Sequence, residues 1–219
     1  TPQCALMPLN KKWQYNGAGD RLHAVSLEFI NIEQPTLTET ERQPKRYGIM
    51  AHHNLPITSE SVPNTEMKIL FIGDIFGKPG RKILGKALPF LIQRHNIDLV
   101  IANAENMAAG RGITAKLGAT ILQNGVDVMT SGNHIWDQRE AIDYIDSEPR
   151  LLRPANFPPS VPGNGHYIAT SSSGQVAGII NIMGRVFMVP LDNPFEIVLA
   201  EIEQIRKKTN VIVVDFHAE

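Results

Sequence analysis

The stretch MKILFIGDIFGKPGR, residues 67–81, is the key to the architecture, because its apolar run stops at Gly73 and Asp74 and a Gly/Pro turn then leads into a helix. Three later apolar runs stop at polar residues in the same way. They are DLVIANAEN at 98–106, DVMTSGNH at 127–134 and VIVVDFH at 211–217. These runs are typical of buried parallel strands, whose carboxyl ends form the ligand-binding edge of an open α/β sheet. The four strand ends therefore predict one site assembled from several loops.

The bulk composition excludes several classes of protein. With 219 residues, 42% of them hydrophobic, the chain is long enough to bury a sizeable core. Lys and Arg total 21 against 22 Asp and Glu, a balance that argues against a general polyanion binder. A single cysteine, Cys4, leaves no disulfide framework and no cysteine-rich zinc site. No apolar run approaches the roughly 18 residues of a membrane span, so we expect no membrane partner and a reducing, cytoplasmic setting.

The chain divides near residue 66. Residues 1–66 are rich in proline and polar stretches, and we predict a disordered or non-native extension in which only residues 22–32 could form a short element. Residues 67–219 alternate strands with helices, which predicts a largely parallel sheet covered by helices. The predicted strands are 68–72, 98–102, 127–130, 166–170, 175–183 and 211–215, and the predicted helices are 79–94, 114–124, 137–146 and 194–208.

Local signals refine several of these elements. Thr114 is a suitable N-cap for the helix 114–124, and Asp137 could cap the helix 137–146. Pro89 is expected to kink or split the helix 79–94, because proline lacks the backbone N–H that the helix needs. A Ser/Gly turn separates the strands 166–170 and 175–183, which predicts a β-hairpin.

The polar residues at the strand ends have the chemistry of metal ligands. They are Asp74, Glu105, Asn106, Asn133 and His217. Carboxylate, amide and imidazole donors without a thiolate suit Mn, Fe, Zn or Mg. Two such cations about 3.5–4 Å apart can clamp a phosphoryl group and activate water. His134, which directly follows a candidate ligand, would suit a general acid or a donor to a phosphoryl oxygen.

Each of these residues also has a plain structural interpretation. Taken alone, Asp74 could cap a helix, Asn133 could stabilise a turn, and His217 would more often be structural than catalytic. The glycines around Asp74 match neither the dinucleotide fingerprint nor the P-loop. Arg81 and Arg111 could contact phosphate, but they fit equally well as solvated surface arginines. The shared position at strand ends is what favours a common site.

Five collinear motifs carry a family resemblance over residues 67–219. They are GDIFGKPGR at 73–81, NAEN at 103–106, SGNHIWD at 131–137, RPANFP at 153–158 and DFHAE at 215–219. Together they closely resemble the YmdB family of calcineurin-like metallophosphoesterases. The resemblance implies a four-layer αββα sandwich built on two sheets. It also implies two divalent or trivalent metal ions and hydrolysis of phosphodiesters, with 2′,3′-cyclic nucleotides as the characteristic substrates.

The resemblance also implies a role for each candidate residue. Asp74 and Asn106 would serve one metal, Asn133 and His217 would serve the other, and Glu105 would bridge the two. His134 would protonate the leaving group or bind a phosphoryl oxygen. The wider superfamily opens with Asp-x-His, whereas Ile75 and Phe76 follow Asp74 here, so Asn106 would replace the missing histidine ligand.

The family pattern continues into a Gly-Thr-His-Thr-His loop that this sequence does not contain. We therefore expect a C-terminally truncated domain with an incomplete ligand set, weak metal binding and little activity. The resemblance leaves open a substrate linked to RNA and assembly into a homo-oligomer. Three other functions also stay open: an inactive fragment of the enzyme, a regulatory module that binds a phosphorylated ligand, and a doubly wound nucleotide-binding domain without metals.

Overall fold

The structure is a computed structural model, and it describes residues 27–33 and 66–218. Within those residues it contains seven strands and four helices. In chain order they are β1 (Leu27–Glu33), β2 (Glu66–Ile72), α1 (Gly77–His95), β3 (Leu99–Asn103), α2 (Ala115–Gln123), β4 (Val128–Thr130), α3 (Ala141–Ser147), β5 (His166–Thr170), β6 (Val176–Met183), α4 (Pro194–Ile205) and β7 (Ile212–His217).

The strands form two sheets. The first has the order β1-β2-β3-β4, with β1 antiparallel to β2 and the other neighbours parallel. The second has the order β5-β6-β7, in which β5 and β6 form the predicted hairpin and β7 runs parallel to β6. The alternation of strands and helices alone predicted one largely parallel sheet, and that expectation is wrong, whereas the family resemblance implied two sheets. The hairpin starts a new sheet, and β7 pairs with β6 instead of extending the first sheet.

The period-2 alternation of the strands explains how the sheets pack. In the first sheet, Ile69 and Ile101 belong to an apolar cluster that also contains Ile179 and Val213 of the second sheet. The neighbouring residues of the first sheet, such as Leu70, point the other way and pack with residues of α1, α2 and α3. The first sheet is thus covered on both faces, which is why its parallel strands are almost continuously apolar.

Helix α4 covers the outer face of the second sheet. Ile180 and Ile182 of β6 form a third apolar cluster with Ile205, and Ile202 packs against it. Asn193 caps this helix by accepting a hydrogen bond from the Phe195 N–H at 3.1 Å. The chain is therefore a mixed α/β protein in which helices lie outside two packed sheets.

One local prediction is confirmed, one is wrong, and one is wrong in part. Thr114 caps α2, since its hydroxyl accepts a hydrogen bond from the Leu117 N–H at 3.3 Å. Pro89 does not split α1, which continues through it to His95, and a kink at Pro89 stays a prediction. Asp137 does not cap α3, because that helix begins at Ala141 and Asp137 contacts a histidine instead.

Strand β1 (Leu27–Glu33) lies inside the predicted extension 1–66. It overlaps the stretch 22–32 that we expected to form a short element. Residues 1–26 and 34–65 lie outside the described residues, so the domain boundary at residue 66 stays a prediction. Across 27–33 and 66–218, no helix combines the length and apolar character that crossing a bilayer requires.

Candidate metal centre

The predicted ligands come together at facing ends of the two sheets. Asp74 follows β2, the pair Glu105 and Asn106 follows β3, and Asn133 follows β4. His217 is the last residue of β7, so it reaches the same place from the second sheet. The site therefore lies between the ends of the two sheets, and not along the edge of a single one.

Glu105 occupies the middle of this cluster. Its side chain is only 3% exposed. Its Oε1 atom lies 3.4 Å from Nε2 of His217. Its Oε2 atom accepts a hydrogen bond from the His134 backbone N–H at 3.1 Å. The two carboxylate oxygens thus face partners that come from different sheets.

Two further contacts complete the cluster. Nδ2 of Asn106 donates a hydrogen bond to Oδ1 of Asp74 at 3.0 Å. Oδ1 of Asn133 lies 2.9 Å from Nε2 of His217. The charge of Asp74 also acts on Glu105, which links the first pair to the rest. All five predicted ligands therefore belong to one group of interacting side chains.

The electrostatics of the site centre on Glu105. Burial raises the pKa of this carboxyl, because the charged form loses its hydration. The nearby His217, the N–H of His134 and the His134 side chain lower the pKa, whereas the negative charge of Asp74 raises it. A buried carboxylate with a raised pKa is a frequent feature of functional sites.

The side chain of His134 contacts Asp137, the residue that we expected to cap a helix. Nδ1 of its ring lies 2.8 Å from Oδ2 of Asp137. A carboxylate at that distance fixes the orientation of the ring and favours a proton on Nδ1. The spacing of three residues between a histidine and an aspartate was the available signal, but Asp137 also fits the position of a helix cap.

Two other supporting groups hold the loop after β3. The Arg81 guanidinium donates through Nη1 to the backbone carbonyl of Met107, so Arg81 holds the loop that carries Glu105. Asn103 accepts a hydrogen bond from the Glu105 N–H through Oδ1 at 3.2 Å. Arg111 is exposed, and its proposed contact with phosphate stays a prediction.

Gly132 leaves room for the His217 ring. A Cβ atom added at Gly132 would lie 2.5 Å from both Cγ and Nε2 of the His217 ring. The imidazole therefore packs directly on the backbone of the loop after β4. The requirement for glycine here is one of space, because Gly132 is not among the described glycines with a positive φ.

The donor set fits a cation in its chemistry. It combines oxygen atoms from carboxylates and amides with an imidazole nitrogen, the ligands that Mn, Fe, Zn and Mg take in proteins. Two of the five candidate ligands are asparagines, which contribute no charge. Within residues 27–33 and 66–218, no three His, Cys, Asp or Glu side chains group together as a metal site.

Comparisons with known proteins agree with the fold and the motifs. A family model described as YmdB-like protein matches residues 70–219. A 2′,3′-cyclic-nucleotide 2′-phosphodiesterase of Bacillus subtilis (strain 168) is 43% identical over 153 residues, which cover 70% of this chain and 58% of that protein.

Two solved structures are also similar. A hypothetical protein from Thermus thermophilus superposes with a TM-score of 0.62 at 37% identity, covering 70% of this chain and 58% of the other. A phosphatase from Mycoplasma pneumoniae gives a TM-score of 0.60 at 34% identity, covering 70% and 56%. The chain thus spans less than two thirds of the length of these relatives. The match over residues 70–219 confirms the expected family: the chain belongs to the YmdB-like proteins.

Proposed function

We propose that this chain carries the metal-ligand cluster of a metal-dependent phosphodiesterase whose substrates are 2′,3′-cyclic nucleotides. The observation that carries the proposal is Glu105, a buried carboxylate whose two oxygens face His217 on one side and the His134 backbone on the other. The name of the Bacillus subtilis relative supports the substrate class. We also propose that the two packed sheets and their outer helices form a calcineurin-like four-layer αββα sandwich.

Two divalent or trivalent cations are part of the proposal. Asp74 and Asn106 would hold one, Asn133 and His217 would hold the other, and Glu105 would serve both. Cations bound in this way supply positive charge to phosphoryl oxygens and make bound water more acidic. The ligands do not distinguish among Fe, Mn, Zn and Mg.

The protein's own groups supply the proton chemistry. In hydrolysis of a cyclic phosphodiester, water adds to phosphorus, the bond from phosphorus to one ribose oxygen breaks, and that oxygen takes up a proton. When Nδ1 of His134 donates to Asp137, Nε2 is the ring nitrogen left to act on the substrate. When both ring nitrogens carry a proton, Nδ1–H stays on Asp137 and Nε2–H would give its proton to the leaving oxygen or donate a hydrogen bond to the phosphoryl group.

The test is hydrolysis of 2′,3′-cyclic AMP by the purified chain with added Mn²⁺, measured by chromatography of the products. Because the sequence lacks the Gly-Thr-His-Thr-His loop of the family pattern, we expect low turnover. This turnover should still require the cation and fall by about 10²–10⁴-fold in His134→Gln, the usual range for loss of a general acid. The matched control is His166→Gln, which alters a histidine that pairs with Glu201 outside the site.

The same assay with Glu105→Gln tests the role of the central carboxylate. Gln keeps the side-chain volume, so the fold should persist, as circular dichroism would show, while turnover is lost. Undiminished turnover in this variant would refute the bridging role. A chain that neither binds Mn²⁺ in calorimetry nor hydrolyses the substrate would refute the proposal as a whole.

A further inference from the structure

Asn181 is a polar residue on the inner, apolar face of the second sheet. Side chains of a strand alternate between the two faces of its sheet. Ala177 and Ile179 of β6 belong to the apolar cluster between the sheets, so Asn181 also points toward the first sheet. Asn181 is fully buried. A buried amide at a position where the alternation predicts an apolar residue needs a specific hydrogen-bond partner.

The amide of Asn181 reaches the backbone at the end of β4. Its Nδ2 atom donates hydrogen bonds to the carbonyl of Ser131 at 2.9 Å and to the carbonyl of Leu152 at 3.1 Å. Ser131 directly follows β4, and its own hydroxyl also donates to the Leu152 carbonyl at 2.6 Å. The second sheet is thus hydrogen-bonded to the residue at which the loop after β4 begins.

A proline explains why a side chain has to provide this hydrogen bond. The Leu152 N–H donates to the Met129 carbonyl at 2.8 Å, as in a parallel ladder. The next bond of that ladder would join the N–H of residue 154 to the Ser131 carbonyl. Residue 154 is a proline, which has no N–H. The amide of Asn181 therefore supplies the donor that Pro154 lacks.

Only one orientation of the Asn181 amide fits these contacts. Both carbonyl oxygens need a donor, and Nδ2 is the end of the amide that donates. A flipped amide would place its oxygen against two other acceptors. In the observed orientation Oδ1 is buried and has no hydrogen-bond partner within the described residues. The amide therefore leaves one of its own atoms unsatisfied while it holds the backbone beside the site.

Strand β6 also holds His217. In the parallel pairing of β6 with β7, Met183 lies opposite His217, two residues beyond Asn181. The Gly184 N–H donates to the His217 carbonyl at 2.8 Å. One strand therefore bonds both to the backbone of His217 and, through Asn181, to the start of the loop that carries Asn133.

We propose that Asn181 is a positioning residue that sets the spacing between the loop after β4 and His217. It holds the Ser131 carbonyl, and the two residues that follow then meet the imidazole. Gly132 packs on the ring, and Oδ1 of Asn133 lies 2.9 Å from Nε2. The consequence for metal binding rests on the proposed function, but the packing of the loop on His217 does not.

An NMR measurement on the metal-free chain tests the positioning directly. A Cβ added at Gly132 would lie 2.5 Å from Cγ of His217, so a Cα hydrogen of Gly132 faces the ring. The wild type should therefore show a nuclear Overhauser effect between a Gly132 Hα and Hδ2 of His217. In Asn181→Ala, which lacks the donor, we expect this cross-peak to weaken severalfold, because its intensity falls with the sixth power of the distance.

Ile179→Ala is the matched control, because Ile179 is fully buried on the same face of the same strand. This variant should lower the free energy of unfolding in urea but keep the cross-peak between Gly132 and His217. If the cross-peak weakened as much in Ile179→Ala as in Asn181→Ala, general loosening of the two sheets would be the cause and the proposal would be overturned.

A second variant covers the case in which Asn181→Ala does not fold. Asn181→Val fills the space that alanine leaves empty, and its β-branched side chain suits a strand, but it also lacks the donor. Its cross-peak should weaken in the same way. A cross-peak of wild-type intensity in a folded Asn181 variant would refute the positioning role.

Calorimetric titration with Mn²⁺ then separates this proposal from the proposed function. If the wild type binds Mn²⁺, the Asn181 variants should bind it about 10–100-fold more weakly, the usual effect of losing a group that orients a ligand. Ile179→Ala should keep the wild-type affinity. If the wild type binds no Mn²⁺ but the cross-peak still weakens in the Asn181 variants, the positioning role stands and the metal centre is refuted.

Discussion

Replacing Gly132 with Ala is the sharpest test of how the site is packed. An added Cβ would lie 2.5 Å from Cγ and from Nε2 of the His217 ring. Carbon atoms in contact normally lie about 3.5–4.0 Å apart, so the imidazole would have to retreat by roughly 1 Å. That displacement would break its 2.9 Å contact with Asn133 and its 3.4 Å contact with Glu105.

The energetic cost follows from these contacts. Overpacking of a filled interior costs about 1–3 kcal/mol, and a lost hydrogen bond adds on the order of 1 kcal/mol. We therefore expect Gly132→Ala to lower the free energy of unfolding by about 2–4 kcal/mol in urea denaturation. We also expect Mn²⁺ affinity in calorimetry to fall by at least about tenfold, since displaced ligands lose coordination geometry.

Gly184→Ala is the matched control, because Gly184 lies beside the same histidine. Its N–H donates to the His217 carbonyl at 2.8 Å, but an added Cβ would meet nothing closer than Cε1 of Phe216 at 3.5 Å. This variant should be close to wild type in stability and in Mn²⁺ affinity. If Gly132→Ala behaved like Gly184→Ala in both measurements, the close packing of His217 on the loop would be refuted.

Three further predictions concern charge, propensity and capping. Because folding raises the pKa of Glu105 above its usual 4.5, its ionised form opposes folding at neutral pH, and Glu105→Gln should stabilise the metal-free chain at pH 7. That gain should shrink as the pH falls through the folded-state pKa and vanish below 4.5, which urea titrations across pH would show. Gly85→Ala, in the exposed interior of α1, should raise the free energy of unfolding by about 0.5–1 kcal/mol; a loss would mean that the flexible Asn124 amide at 3.4 Å cannot move aside. Thr114→Ala should cost about 1 kcal/mol through loss of the cap on α2, and Thr114→Ser should restore most of it.

Elements governed by local chemistry were predictable from the sequence. The apolar runs before Asp74, Glu105 and Asn133 are strands, as their composition and turn residues indicated. The cap of α2 at Thr114 was also predictable, because a cap depends on residues three positions apart. The error at Asp137 has the same origin: an aspartate before a helix and an aspartate that orients a histidine look alike in sequence.

The candidate side chains of the site could be identified from the amino-acid sequence, because their positions follow from where the apolar strands stop. How these side chains meet became visible only in the packed fold. The last strand pairs with β6, so His217 comes from the second sheet and packs on Gly132 across the gap. Strand pairing and the close approach of an imidazole to a backbone depend on contacts between distant residues. No local pattern of residues specifies such contacts, because they form only when the two sheets pack together.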